Sequence, residues 1–220
     1  GSIQGGKKVW ALIKGETLDI AGDIEPYLLV ANGHDGSIAF RIVPTMVRVV
    51  CRNTLNAVIP LDQSGGKIKK CIFSCRHTGG VLENVEEAKL ALRQYADAID
   101  ATAELCGTLA AKDVGSSAIT DFWLDVYQTQ FTPVPVSPTD AKQARRRERA
   151  TVAFGEIAQR FDTEPGEPSL WKAYNAYTGW LQHDYRGLDG NEDKRNHTNL
   201  FGVNSDRTVE ALGIAVNSHV

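Results

Sequence analysis

The chain has 220 residues, 42% hydrophobic and 23% charged, with a net charge of −3. That balance excludes extensive disorder and a uniformly basic nucleic-acid binder, and it leaves room for one sizeable core or a main domain with a helical extension. No apolar run approaches the roughly 20 residues that span a bilayer, so no membrane partner is expected. The four cysteines (Cys51, Cys71, Cys75, Cys106) have no small-scaffold spacing. They read as reduced thiols of a cytoplasmic protein. The opening Gly1-Ser2 reads as a cloning scar, and the lack of an initial Met predicts a piece of a longer protein.

The first half reads as β. Residues 9–13 form a short apolar strand, and the runs 27–31 and 38–43 flank the Gly/Asn/Asp-rich stretch 32–37. Residues tolerant of positive φ between two apolar runs predict a hairpin. Pro44 cannot donate a ladder hydrogen bond and marks an edge or a bulge. The strand resumes over 46–52, with Val47, Val49 and Cys51 on one face and Arg48, Val50 and Arg52 on the other. Residues 53–57 read as a turn or one helical turn, 61–70 as a polar loop and 71–77 as a further strand.

After Thr78-Gly79-Gly80 the period changes from two to about 3.6. Leu82, Val85, Ala88, Leu92, Tyr95, Ile99, Ala103, Cys106 and Leu109 step by three or four. They predict one amphipathic helix over 82–112 with Leu92, Ile99 and Cys106 buried. A shorter helix is expected over 117–130. Three prolines in 132–138 predict an extended segment. That segment divides a sheet-plus-helix core, 1–132, from a helical extension, 133–220, packed on the same core. Helices are expected over 138–161, 169–185 and 205–217, with Ser169 and Ser205 as caps. The polar stretch 186–199 reads as a mobile loop. The fold class is α+β: an antiparallel β-meander covered by a long helix, then a helical C-terminal half.

Charge comes in blocks. Residues 41–80 hold seven Lys/Arg against one acid, 81–140 three against ten, and 141–160 six against two. Such blocks can place a positive face on an acidic protein, or neutralise each other across packed elements. Arg41, Arg48, Arg52 and Arg76, with Asn53 and His77 at the strand ends, form one candidate cluster. Guanidinium groups fork onto phosphate oxygens, and Asn and Thr (Thr54, Asn56 and Thr78 lie at the same strand ends) can complete the cradle. The other reading pairs these arginines with Glu83, Glu86, Glu87 and Asp97 of the long helix. Lys142, Arg145, Arg146, Arg147 and Arg149 spread over more than half of a helix circumference, as a phosphate-tracking run or as a solvated face. Trp171, Tyr174, Tyr177 and Trp180 fall three apart and wrap around their helix, so some are core and one or two are candidate stacking platforms. Cys71, Cys75 and His77 share a strand face, but without paired ligand knuckles they read as buried thiols rather than a metal site. No P-loop, Gly-x-Ser-x-Gly or Gly-x-Gly-x-x-Gly occurs, and no cofactor is expected.

Several blocks are familiar together. Lys8-Val9-Trp10-Ala11-Leu12, Pro26-Tyr27-Leu28-Leu29, Asn32-Gly33-His34-Asp35-Gly36-Ser37 and the run 47–56 are four of them. Arg76-His77-Thr78-Gly79, Ala173-Tyr174-Asn175-Ala176 and Asn199-Leu200-Phe201-Gly202 complete the set. In this order they resemble the phage/plasmid-like protein family, a domain of unknown function carried by phages, prophages and plasmids. The resemblance covers nearly the whole chain and implies a genomic setting and an additional N-terminal portion. It brings no catalytic residues.

Two functions of different class follow. One is a non-enzymatic, oligomeric nucleic-acid-binding protein, of single-strand-binding or annealing type, using Arg41, Arg48, Arg52, Asn53, Arg76, His77, Lys142, Arg145, Arg146 and Arg149. Its support in fold is an analogy: a β-meander followed by a long helix is also the element order of Rad52-like annealing proteins. The alternative is an enzyme or regulatory module binding a small phosphorylated ligand at Arg48, Arg52, Asn53, Arg76 and His77.

Overall fold

Alternating side chains in the first half pair into strands that fold back on one another. The computed structural model describes residues 1–3, 5–16, 24–48, 54–56, 58–60, 68–70, 73–75, 81–131, 140–185 and 192–219. Strands β1 (Ser2–Ile3), β2 (Lys8–Lys14), β3 (Ile24–Gly33), β4 (Phe40–Arg48) and β5 (Thr54–Asn56) form an antiparallel sheet in sequence order. β6 (Val58–Pro60) and β7 (Ile68–Lys70) make a separate hairpin, and β8 (Phe73–Cys75) returns to pair with β4. The β3–β4 reversal lies where the sequence puts it. Gly36 takes φ +72°, a left-handed conformation that favours glycine. Asp35 accepts from the Ser37 amide at 3.0 Å and its hydroxyl at 2.6 Å, closing an Asx turn.

β4 is continuous through Pro44. β8 pairs with residues 40–42 and β5 with 45–47 on its outer edge. Pro44 falls in the interval between them, where a missing ladder donor costs least.

Two readings need correction here. The stretch 53–57, read as a turn, contains strand β5, and the loop read over 61–70 ends in strand β7. β5 is only three residues long, and a distant residue fixes it. The side-chain amide of Gln182 accepts from the Thr54 amide at 2.9 Å and donates to the Thr54 carbonyl at 2.8 Å. Both groups of Thr54 are thus satisfied by a single carboxamide, as a neighbouring strand would satisfy them. Gln182→Ala strands both, and should cost about 1–3 kcal/mol of stability by urea denaturation. Gln182→Glu, which loses the donor and buries a carboxylate against the Thr54 carbonyl, should cost at least as much.

The helices are α1 (Val81–Ala111), α2 (Ser116–Phe131), α3 (Asp140–Thr163), α4 (Leu170–Gly179), α5 (Glu192–Phe201) and α6 (Val203–His219). One π-helical turn, Trp180–Asp184, extends α4. Ser169 caps α4 as expected, its Oγ accepting from the Lys172 amide at 3.2 Å. Ser205 does not cap a helix. α6 starts two residues earlier, and Ser205 is buried with its Oγ accepting from Asn56 and Lys70. Nor is 186–199 a loop throughout, because α5 begins at Glu192. α5 is polar but for Leu200 and Phe201 at its end, so it has no apolar stripe to betray it. Two acids in its first turn favour the helix dipole, and it packs on α6.

α1 runs within a residue of its predicted ends. Ile99, Ala103, Cys106 and Leu109 are buried along its predicted face, but Leu92 is 48% exposed. At Leu92 the stripe stands outside the core. That core is one cluster drawn from Ile24 and Met46 of the sheet and from α1, α2, α3, α4 and α6. α4 lies at its centre and is buried nearly all round. Trp171, Tyr174, Tyr177 and Trp180 are therefore all core, none a platform. Buried polar handles find partners: Trp123 Nε1 donates to the Ala173 carbonyl at 3.0 Å and Tyr174 Oη to that of Thr208 at 3.2 Å. At β4 and β5 the sheet is covered on both faces, while Leu12 and Ile13 of β2 are exposed. α1 packs on β4 and β8, while α6 packs on β5 and β7 from the side where Asn56 donates to Ser205 at 2.6 Å. Among the described residues no helix is long and apolar enough to cross a membrane.

Candidate nucleic-acid interface

The exposed aromatic surface comes from elements the sequence reading did not single out. α2 ends on Tyr127 and Phe131, and the π turn delivers Trp180 and, just beyond it, Tyr185. Ring centroids of Phe131 lie 5.8 Å from Trp180 and 5.3 Å from Tyr185, and Tyr127 lies 5.0 Å from Phe131. Trp180 is buried at the back, its Nε1 donating to Glu156 Oε2 at 2.8 Å. Tyr127, Phe131 and Tyr185 remain half-buried. Behind them the Arg207 guanidinium sits 4.2 Å from the Phe131 centroid, a cation–π contact that fixes the ring.

The π turn has a structural cause. Widening the helix frees carbonyls from their usual partners, and two amides collect them. Asn204 donates to the Leu181 carbonyl at 3.1 Å and Asn199 to that of Gln182 at 3.1 Å. Arg160 of α3 pairs with Asp184 at its end. The widened turn places Tyr185 beside Trp180, 5.4 Å between centroids.

α3 supplies the other wall. With about 100° per residue, Arg145, Arg146 and Arg149 fall within about a third of the circumference, in line with the buried Ala153. The inward face of α3 is thus apolar where it meets the core and basic where it runs past it. Arg145, Arg146, Arg147 and Arg149 are all exposed. Between α2, α3 and the π turn opens a cleft of roughly 730 Å³, lined by Tyr127, Phe131, Trp180 and Tyr185 on one side and Arg146 and Arg149 on the other. Glu148 and Glu156 also line it. Burial, then the charge of the neighbouring Tyr185 phenol, raises the pKa of the Tyr127 phenol, while Arg149 acts the other way.

The remaining predicted residues are placed differently. Arg41 is half-buried on β4, beneath α5 and α6 rather than beside α3. Arg48 ends β4 and residue 142 lies in α3, but their side chains are outside the description, and Arg52, Asn53, Arg76 and His77 lie outside the described residues. Of the acids weighed as partners for these arginines, Glu86 pairs with Lys89 on its own helix at 2.6 Å. Cys75 and Cys106 are free thiols, and burial pushes the Cys106 thiol well up. Cys51 and Cys71 lie outside the described residues.

An antiparallel sheet feeding a long helix, with a helical second half closing an arginine-rimmed aromatic cleft, defines an α+β protein with a surface suited to a planar or anionic partner. Residues 1–210 match the family model described as Domain of unknown function (DUF932), and the chain belongs to that family. No curated protein and no solved structure matches it.

Proposed function

We propose that this chain is a non-enzymatic, single-strand-binding protein of mobile genetic elements, acting as an oligomer in strand binding or annealing. The observation that carries the reading is the cleft between α2, α3 and the π turn. Half-exposed rings of Tyr127, Phe131 and Tyr185 offer π faces, and Arg146 and Arg149 stand opposite them on a helix whose exposed turn is basic. Base stacking on aromatic rings and guanidinium contacts to the backbone are the two interactions that hold single strands without reading sequence. A duplex keeps its bases stacked inside and cannot use the rings. The mobile-element setting rests on the resemblance of the sequence blocks to the phage/plasmid-like family. The annealing role rests on element order, a weaker warrant.

The test is fluorescence anisotropy with a labelled oligo(dT) and a matched duplex, titrated across salt. Single-strand binding that falls steeply as salt rises, and exceeds duplex binding, is expected. No binding to either at low salt would sink the reading.

A further inference from the structure

Two carboxylates line the aromatic cleft together with its arginines, and holding a strand by stacking and charge calls for neither. An acid beside a phosphate-binding wall repels the backbone unless some other group of the ligand donates to it. The two acids are placed differently. Glu148 is exposed and lies about 100° round α3 from Arg149. Glu156 lies within about 20° of Arg149 and about 10 Å further along the helix. It is half-buried, and Trp180 Nε1 donates to its Oε2 at 2.8 Å. That bond ties the carboxylate to the ring at the back of the cleft. A carboxylate has about four acceptor sites, so one indole N–H does not exhaust it.

Ring faces, guanidinium groups and a fixed carboxylate are thus brought to one cleft of roughly 730 Å³, a size that holds a small ligand. A nucleotide answers all three: its base stacks, its phosphate meets Arg146 or Arg149, and its base edge reaches the acid. The bases differ at that edge. Guanine alone presents two adjacent donors, N1–H and the 2-amino group, which a carboxylate takes as a pair. Adenine and cytosine set one amino group beside a ring-nitrogen acceptor. Thymine and uracil flank one N–H with two carbonyls, and acceptors turned toward a carboxylate are repelled. We propose, resting on the single-strand reading of this cleft, that Glu156 makes it selective for guanine, in a strand or as a free nucleotide. The other bases still stack and still bring a phosphate, so they bind more weakly.

Fluorescence anisotropy should compare short thymine oligomers carrying one central guanine, one hypoxanthine in its place, or neither. Hypoxanthine keeps the ring and N1–H and lacks only the 2-amino group. Guanine should bind about ten-fold or more tighter than hypoxanthine, the worth of one hydrogen bond to a charged acceptor, and the all-thymine oligomer should be weaker still. This comparison uses the unaltered protein and does not depend on any variant folding. Glu156→Gln keeps an acceptor for Trp180 and should bring the guanine and hypoxanthine oligomers to nearly equal affinity, with the salt slope unchanged. Competition by GMP and IMP separates the sources. A preference for GMP over IMP with no gain from a longer strand keeps the guanine site and removes the strand. Equal, salt-dependent binding of all three oligomers overturns the guanine proposal and leaves single-strand binding standing. So does a guanine preference that Glu156→Gln retains, and binding of no oligomer and no nucleotide overturns both.

Discussion

Replacing Arg146 and Arg149 together by Glu should abolish most single-strand binding while leaving the fold intact. Both side chains are exposed on α3 and line the cleft, so the double variant removes two cations and adds two anions at no cost in packing. For single strands each phosphate contact contributes about −0.7 to the slope of log affinity against log salt. Losing two contacts should flatten that slope by about 1.4, and repulsion should lower low-salt affinity about 100-fold or more. Tyr127→Leu tests the other wall. It keeps apolar bulk beside Phe131 but removes a π face, and should cost about 1–3 kcal/mol of binding with the salt slope unchanged. A slope effect from the arginines and a slope-free effect from the ring is the signature of a strand lying between them. Wild-type affinity in both variants would move the binding surface elsewhere on the protein.

What the sequence made legible, and what it did not, divides along physical lines. Alternation and turn chemistry placed β2 and the β3–β4 hairpin, because those signals are local. Period 3.6 placed α1 within a residue at each end. Strand β5 and helix α5 were missed for one reason: neither carries a pattern of its own. β5 is held by Gln182, 128 residues away from Thr54. α5 is polar but for Leu200 and Phe201 at its end, and it packs on α6. The basic run on α3 was visible, but the rings it faces were not. Tyr127 and Phe131 carry no signal of their own, and only the π turn, which no propensity announces, delivers Tyr185 to them. Conversely, one or two of the four aromatics of 171–180 looked like platforms, and all four are core. Spacing alone does not tell a helix covered on all sides from one with a free face. Arg41 was picked for its charge and grouped with its neighbours in sequence. Its partners in space, Lys8, Lys70 and His197, come from three other elements.

Helix α1 gives the clearest case of a pattern that is right in phase and wrong in extent. Leu92 and Ile99 are seven residues apart and lie within about 20° on the helix, so the sequence treats them alike. The structure does not: Ile99 is 4% exposed and belongs to the core cluster, while Leu92 is 48% exposed. At 31 residues the helix is about 45 Å long, and the residues from Ala98 to Leu109 on its inner face form a buried stripe. Ile99→Asp puts a carboxylate without a partner among Ala98, Ala103 and Cys106. It should cost about 4 kcal/mol or more, enough to unfold a marginally stable domain. Leu92→Asp, on the same stripe one step past the core, should cost less than about 1 kcal/mol and leave the melting temperature within a few degrees of wild type. Paired thermal melts decide it. Equal destabilisation by the two variants would mean that the core reaches Leu92, and equal tolerance would mean that α1 packs on the core through another face.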